Sequence, residues 1–104
     1  MAYKLSISKR AQEQLDECLY YLMFRLKNST AAEHLLSCIE SVYERLEENP
    51  YQFPECKDAY LKSLHYREVV LTQMSYIMIV KITEETVYII EIFHQLEDYG
   101  NKLL

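Results

Sequence analysis

Eight polar side chains in the second half of this chain are of types that do chemistry: Lys57, Lys62, His65, Arg67, Lys81, Glu91, His94 and Tyr99. Arg67 lies in the middle of an expected strand, in Tyr66-Arg67-Glu68, where a cation is expensive unless paired or functional. Two readings stay open for it. One is a structural ion pair with Glu91 or another carboxylate; Glu91 is reached only if the long arginine leans across an intervening strand. The other is recognition of an anion, which a planar guanidinium binds with defined geometry. His94 closes the last apolar run. An imidazole titrates near neutrality and can carry a proton in a transition state; a strand-end histidine bonded to backbone is the plainer alternative. Tyr99 is one of ten tyrosines and means little alone. Lys57 and Lys62 flank a loop and are most simply solvated. With His65 and Lys81 they are the groups available to hold an anionic target.

Other chemistries are excluded. Gly100 is the only glycine, so no glycine-rich phosphate loop or dinucleotide fingerprint exists. There is no Gly-x-Ser-x-Gly elbow. His34, His65 and His94 are isolated from one another, and Cys18, Cys38 and Cys56 have no metal-like spacing. Neither a metal nor another cofactor is expected. An odd cysteine count fits a reducing compartment. The chain carries −5, so generic or sequence-specific DNA binding is not expected. The charge is uneven: residues 57–81 hold Lys57, Lys62, Arg67 and Lys81 against Asp58 and Glu68, and an anionic partner would meet this half.

The elements that must position these groups follow from length and periodicity. One hundred and four residues, half of them apolar, make one domain over 1–104. No apolar run approaches the ~18 residues of a membrane span, and the N-terminus does not read as a signal peptide. A cytoplasmic protein with no membrane partner is expected. Tyr3, Leu5 and Ile7 alternate as a short strand. Ser8 then offers an N-cap to a long amphipathic helix with Ala11, Leu15, Cys18, Leu19, Leu22, Met23 and Leu26 on its apolar side. Asn28 suits a left-handed helix end, and Thr30 to Glu33 matches a capping box. A second helix carries Leu35, Leu36, Ile39, Val42, Tyr43 and Leu46 and stops at Asn49-Pro50. Tyr51 and Phe53 are expected to pin the following loop. Leu64–Leu71, Tyr76–Ile82 and Val87–His94 then read as three strands of an antiparallel meander, and the tail from Gln95 suits a helical turn. The fold class is α+β: an antiparallel helical hairpin on one face of a four-stranded, mostly antiparallel sheet, in the order β-α-α-β-β-β.

The last two strands are apolar on both faces, whereas one helical layer covers only one. Alternation puts Val87, Ile89 and Phe93 around Glu91 on one face of the last strand, and Tyr88, Ile90, Ile92 and His94 on the other. Either loops, tail and tyrosines close the second face, or a partner segment docks there against Ile77, Ile79, Ile90 and Ile92.

The order of these elements, with Ala31-Ala32, Leu46-x-x-Asn49-Pro50, Tyr66-Arg67, Tyr76, Ile92-Phe93-His94 and Asp98-Tyr99, resembles the RelE/ParE superfamily of bacterial toxins over essentially the whole chain. The resemblance implies a growth-inhibiting toxin of a type II toxin–antitoxin module, with a cognate antitoxin as partner. It implies one of two targets. RelE-like members cut messenger RNA in the ribosome; ParE-like members act on DNA gyrase. Arg67, His94 and Tyr99 are the positions that the resemblance carries over as candidate catalytic residues. Lys57, Lys62, His65 and Lys81 are the candidate target-binding set. The charge of −5 and the sparse strand lysines depart from the RNA-cutting pattern, and the long, capped hairpin and the His-Gln-x-x-Asp-Tyr ending look closer to the ParE branch. The alternatives are a metal-independent, ribosome-dependent endoribonuclease and a binding module without toxicity.

Overall fold

The computed structural model describes residues 3–71 and 75–94 of the chain. Strand β1 spans Lys4–Ile7, helix α1 Lys9–Tyr20, helix α2 Ser29–Glu48, helix α3 Ala59–Ser63, and strands β2, β3 and β4 span Arg67–Leu71, Tyr76–Thr83 and Thr86–His94. The sheet order is β1-β4-β3-β2. β1 runs parallel to β4 and the other pairs are antiparallel, so the α+β hairpin-on-sheet architecture holds.

Ser8 caps α1 as its type suggests: its Oγ accepts from the Ala11 N–H at 2.9 Å. Ala11 and Leu15 are buried and Cys18 and Leu19 pack beside them. The stripe does not continue as a regular helix to Leu26. Tyr21–Arg25 form a wider π-helical turn, in which the Leu26 N–H bonds the Tyr21 carbonyl at 2.9 Å. The extra residue per turn keeps Leu22 inside and rotates Met23 and Leu26 out to solvent. Lys27 takes the left-handed conformation expected of Asn28. Asn28 instead caps α2, its Oδ1 accepting from the Ala31 N–H at 3.0 Å, which leaves Thr30 inside the first turn and displaces the expected capping box. Ala32, Leu35, Ile39, Val42 and Leu46 make the buried stripe of α2, while Leu36 is exposed. Asn49-Pro50 ends the helix, and a 3-10 turn follows at Pro50–Gln52. Phe53 pins the loop; Tyr51 lies on the surface.

The expected strand from Leu64 begins later. Asp58 caps the short helix α3 by accepting from the Leu61 N–H at 3.0 Å, Leu61 is buried, and His65 in a left-handed turn reverses the chain into β2. The β3–β4 turn has two residues, Glu84 and Glu85, with Glu84 left-handed. The expected tail and the residues of the β2–β3 turn from 72 to 74 lie outside the described residues.

One irregularity reorders the core. Ile79 pairs with Glu91 but Val80 pairs with Ile89, so Ile90 is an extra residue in β4. A one-residue bulge flips every later side chain to the opposite face. Ile92 therefore joins Val87 and Ile89 in the main core against the helices, and Phe93 crosses to the outer face. That face carries a second, smaller core: Cys56, Leu61, Ile77, Ile79 and Phe93, with Tyr66 and Ile90 at its margin. The loop before α3 and α3 itself cover it. Ile77, Ile79 and Ile92 are thus buried by the chain and Ile90 is half-buried, so of the two readings it is closure by the chain itself that holds, and these four positions offer a partner no open apolar face.

Candidate functional site

Arg67 begins β2, half-buried. Its Nη1 donates to the Phe53 carbonyl at 2.7 Å, and its guanidinium lies 5.0 Å above the Tyr51 ring. Glu55 bridges to Arg67 through the backbone. The arginine is a clip that fastens the loop after α2 to the sheet. It does not pair with Glu91. That carboxylate, 2 % exposed, turns to α1: Gln14 Nε2 donates to its Oε1 at 2.9 Å, and Arg10 Nε lies 3.2 Å from the same oxygen. Gln14 Oε1 in turn accepts the Ile92 N–H at 2.9 Å, and Ser8 Oγ donates to the Ile90 carbonyl at 2.9 Å. Pairing with β1 ends at Ile89, so these side chains take over the edge of β4 where β1 stops. Sequence reasoning missed Arg10 and Gln14. Their signal was present: they are four apart on one helix face, and a lone carboxylate in an apolar strand requires donors.

His94 ends β4 opposite Tyr76, with ring centroids 5.1 Å apart and planes nearly perpendicular. It lines a cleft of about 300 Å³ with Gln14, Glu17, Cys18, Tyr21 and Phe93. Burial, and then the neighbouring Cys18 and Tyr21, push the Tyr76 hydroxyl up to about 12, so it stays protonated. Arg67 and His94 stand apart. Arg67 aligns with Val80 of β3 and His94 with Tyr76, four residues further along and on the strand beyond. At ~3.3 Å per residue and ~4.8 Å per strand, their α-carbons are roughly 16 Å apart. Tyr99 lies outside the described residues.

Lys57, Lys62 and His65 are exposed on and around α3. Lys81, half-buried, places its Nζ 5.6 Å from the Tyr66 ring centroid. This set belongs to the outer face, across the sheet from α1 and α2. The Lys57 N–H donates to Glu68 Oε1 at 3.3 Å. Cys56, beneath them, has its thiol pushed up to about 12 by burial and by Glu68, Asp58 and Glu55, and is no nucleophile there. Among the described residues no group of His, Cys, Asp and Glu could hold a metal ion, and no helix is long and apolar enough to cross a membrane.

A larger cleft of about 460 Å³ opens between α2 and β2, walled by Val42, Arg45, Phe53, Val69 and Leu71. The loop covers the outer edge of β2 through Cys56 N–H to the Tyr66 carbonyl and Glu68 N–H to the Pro54 carbonyl, each 3.0 Å. That cover ends at Glu68, and Val70, which also lines the cleft, is exposed.

The family described as the ParE toxin of the type II toxin-antitoxin system parDE matches residues 5–99. Among solved structures, the chain is similar to the chromosomal ParDE toxin–antitoxin system from P. aeruginosa, with TM-score 0.69 and 14 % identity, covering 89 % of this chain and 96 % of that one. It is also similar to a doubly substituted E. coli toxin RelE in the free state, with TM-score 0.62 and 16 % identity, covering 98 % of this chain and 93 % of that one. At these identities the likeness is one of fold. No curated protein is similar enough in sequence to match.

Proposed function

The chain belongs to the ParE toxin family of type II toxin–antitoxin systems, and on that premise we propose that it arrests growth by inhibiting DNA gyrase and is silenced by a cognate antitoxin. The observation that supports gyrase over messenger RNA is the separation of Arg67 from His94. Cleavage by a 2′-hydroxyl without metal needs a base, an acid and a phosphate-stabilising cation converging on one phosphate. Here the cation is committed to Phe53 and Tyr51, the imidazole lies at the far end of the sheet, and the lysines sit on its other face. A chain of charge −5 is also a poor electrostatic host for RNA. The protein acts, in this reading, as a binding inhibitor, with Arg67 holding the loop that shapes its surface.

The antitoxin has no open sheet face at Ile77, Ile79 and Ile92. We place it in the cleft between α2 and β2. An extended segment can add to the β2 edge beyond Glu68 while its side chains enter the apolar walls.

Purified toxin in a gyrase supercoiling assay tests the reading, with transcript mapping in cells that express it. The expected result is loss of supercoiling activity with transcripts intact. Cuts within translated codons, with supercoiling untouched, would overturn it in favour of the endoribonuclease.

A further inference from the structure

Five large apolar side chains crowd the tip of the α1–α2 hairpin and stand open to solvent. Tyr20, Tyr21, Met23, Phe24 and Leu26 fall within seven consecutive residues and are 44–59 % exposed. The π-helical turn puts them there: a regular helix would carry Met23 and Leu26 along the buried stripe. The Tyr20 and Phe24 rings are already packed together, with centroids 4.9 Å apart. The tip also departs from the charge of the chain. No Asp or Glu occurs from Cys18 to Ala32, whereas Arg25 and Lys27 do, in a molecule of net charge −5. Both cations are exposed.

Half-exposed side chains of this size present roughly 100 Å² each, about 500 Å² together. That is near the top of the range for the largest patch on an ordinary monomer, and such patches are often functional. It is below the ~800 Å² per partner of a stable complex. The area suits a reversible docking contact and is too small for a partner that must hold the toxin silent. The α2–β2 cleft, on another part of the molecule, is left for that partner.

We propose that the hairpin tip is the surface by which this toxin grips its target, receiving a target protein segment that is apolar and flanked by carboxylates. The proposal rests on the toxin reading above and adds the place and the chemistry of the target contact. The carboxylates would meet Arg25 and Lys27, and the apolar side chains would cover the Tyr20–Phe24 pair.

The test uses the purified full chain and its antitoxin complex, with the variants Met23→Ser/Phe24→Ser and Arg25→Glu/Lys27→Glu. All four side chains are exposed, so melting temperatures should stay within a few degrees of wild type. Each double variant should need about tenfold more protein for half-inhibition of gyrase supercoiling, or lose inhibition. Antitoxin affinity should change by less than about threefold, a small part of such an interface. Full inhibition by both folded variants would overturn the proposal. So would a parallel loss of antitoxin affinity, which would give the tip to the antitoxin. Binding to anionic phosphatidylglycerol vesicles that the serine variant loses, with gyrase inhibition intact, would give it to a lipid surface. If the wild-type chain arrests growth while gyrase is unaffected, the gyrase reading alone falls. The tip is then judged by growth: arrest lost in the serine variant supports it, and equal arrest refutes it. A wild-type chain that does neither refutes both.

Discussion

Replacing Gln14 by Leu should show what holds the half of β4 whose edge β1 leaves unpaired. Gln14 makes two bonds at once, accepting from Ile92 N–H and donating to Glu91 Oε1, each at 2.9 Å. Both partners sit in buried residues. An N–H left unsatisfied costs about 1–3 kcal/mol, and a lost hydrogen bond to a charged group about 1.5–3 kcal/mol. Arg10 remains beside Glu91, but it is more than half exposed and screened, so it offsets little. The expected loss is about 3–5 kcal/mol, which for a domain of this size lowers the melting temperature by roughly 12–20 °C. Thermal unfolding followed by circular dichroism reads it, with Glu13→Leu on the exposed side of α1 as a control expected to stay within ~0.5 kcal/mol. Adding Glu91→Leu to the Gln14→Leu chain should recover about 1–2 kcal/mol, because the orphaned carboxylate goes too. A Gln14→Leu chain that melts within ~2 °C of wild type would show that the edge is held by something else.

Arg67→Ala removes the bond to Phe53 and the stack on Tyr51; it should cost about 1–3 kcal/mol and weaken growth arrest by loosening the loop, while a folded variant of full toxicity would end any functional role for it. His94→Ala should leave gyrase inhibition within about twofold of wild type, whereas a nuclease using this imidazole would lose on the order of 100-fold. Cys56 should resist iodoacetamide in the native state at pH 8 and react only in denaturant, which mass spectrometry resolves. Alkaline stability follows from the same group. Its folded value, about 12, lies above the ordinary 9.0, so the unfolded chain releases the proton first. The stabilisation is fully present below pH 9 and declines as pH rises toward 12, and Cys56→Ala should flatten that part of the pH–stability curve.

Local chemistry written into single residues was readable in advance. Ser8 at the start of α1, Asn49-Pro50 at the end of α2 and the three-strand meander each carry a self-contained signal, and together with Tyr66-Arg67 and Ile92-Phe93-His94 they pointed to the family. What escaped were choices that only packing makes. Ile89-Ile90-Glu91-Ile92-Phe93 is nearly uniform in polarity, so nothing in it reveals that Ile90 is the extra residue and that Ile92 and Phe93 exchange faces. The partner of Glu91 depends on where α1 lands, and Arg67 found a carbonyl and a ring instead of a carboxylate. The cap on α2 went to Asn28 over Thr30 because Lys27, not Asn28, took the left-handed turn.

The Ser8–Ile90 bond and the β1–β4 pairing also set a folding timetable. That bond spans 82 positions, and closing so long a loop costs about 4 kcal/mol of chain entropy before any contact repays it. The β3–β4 hairpin, joined by a two-residue turn, closes locally within microseconds. A species should therefore arise in which β2, β3 and β4 are paired while the other edge of β4 still lacks β1, Ser8 and Gln14. For that interval β4 is a free template for any strand in the solution, its own copies included. Weakening the N-terminal clip would lengthen the interval. Its first symptom would be concentration-dependent loss of soluble protein on refolding, visible under conditions where the native state, once reached, is still stable.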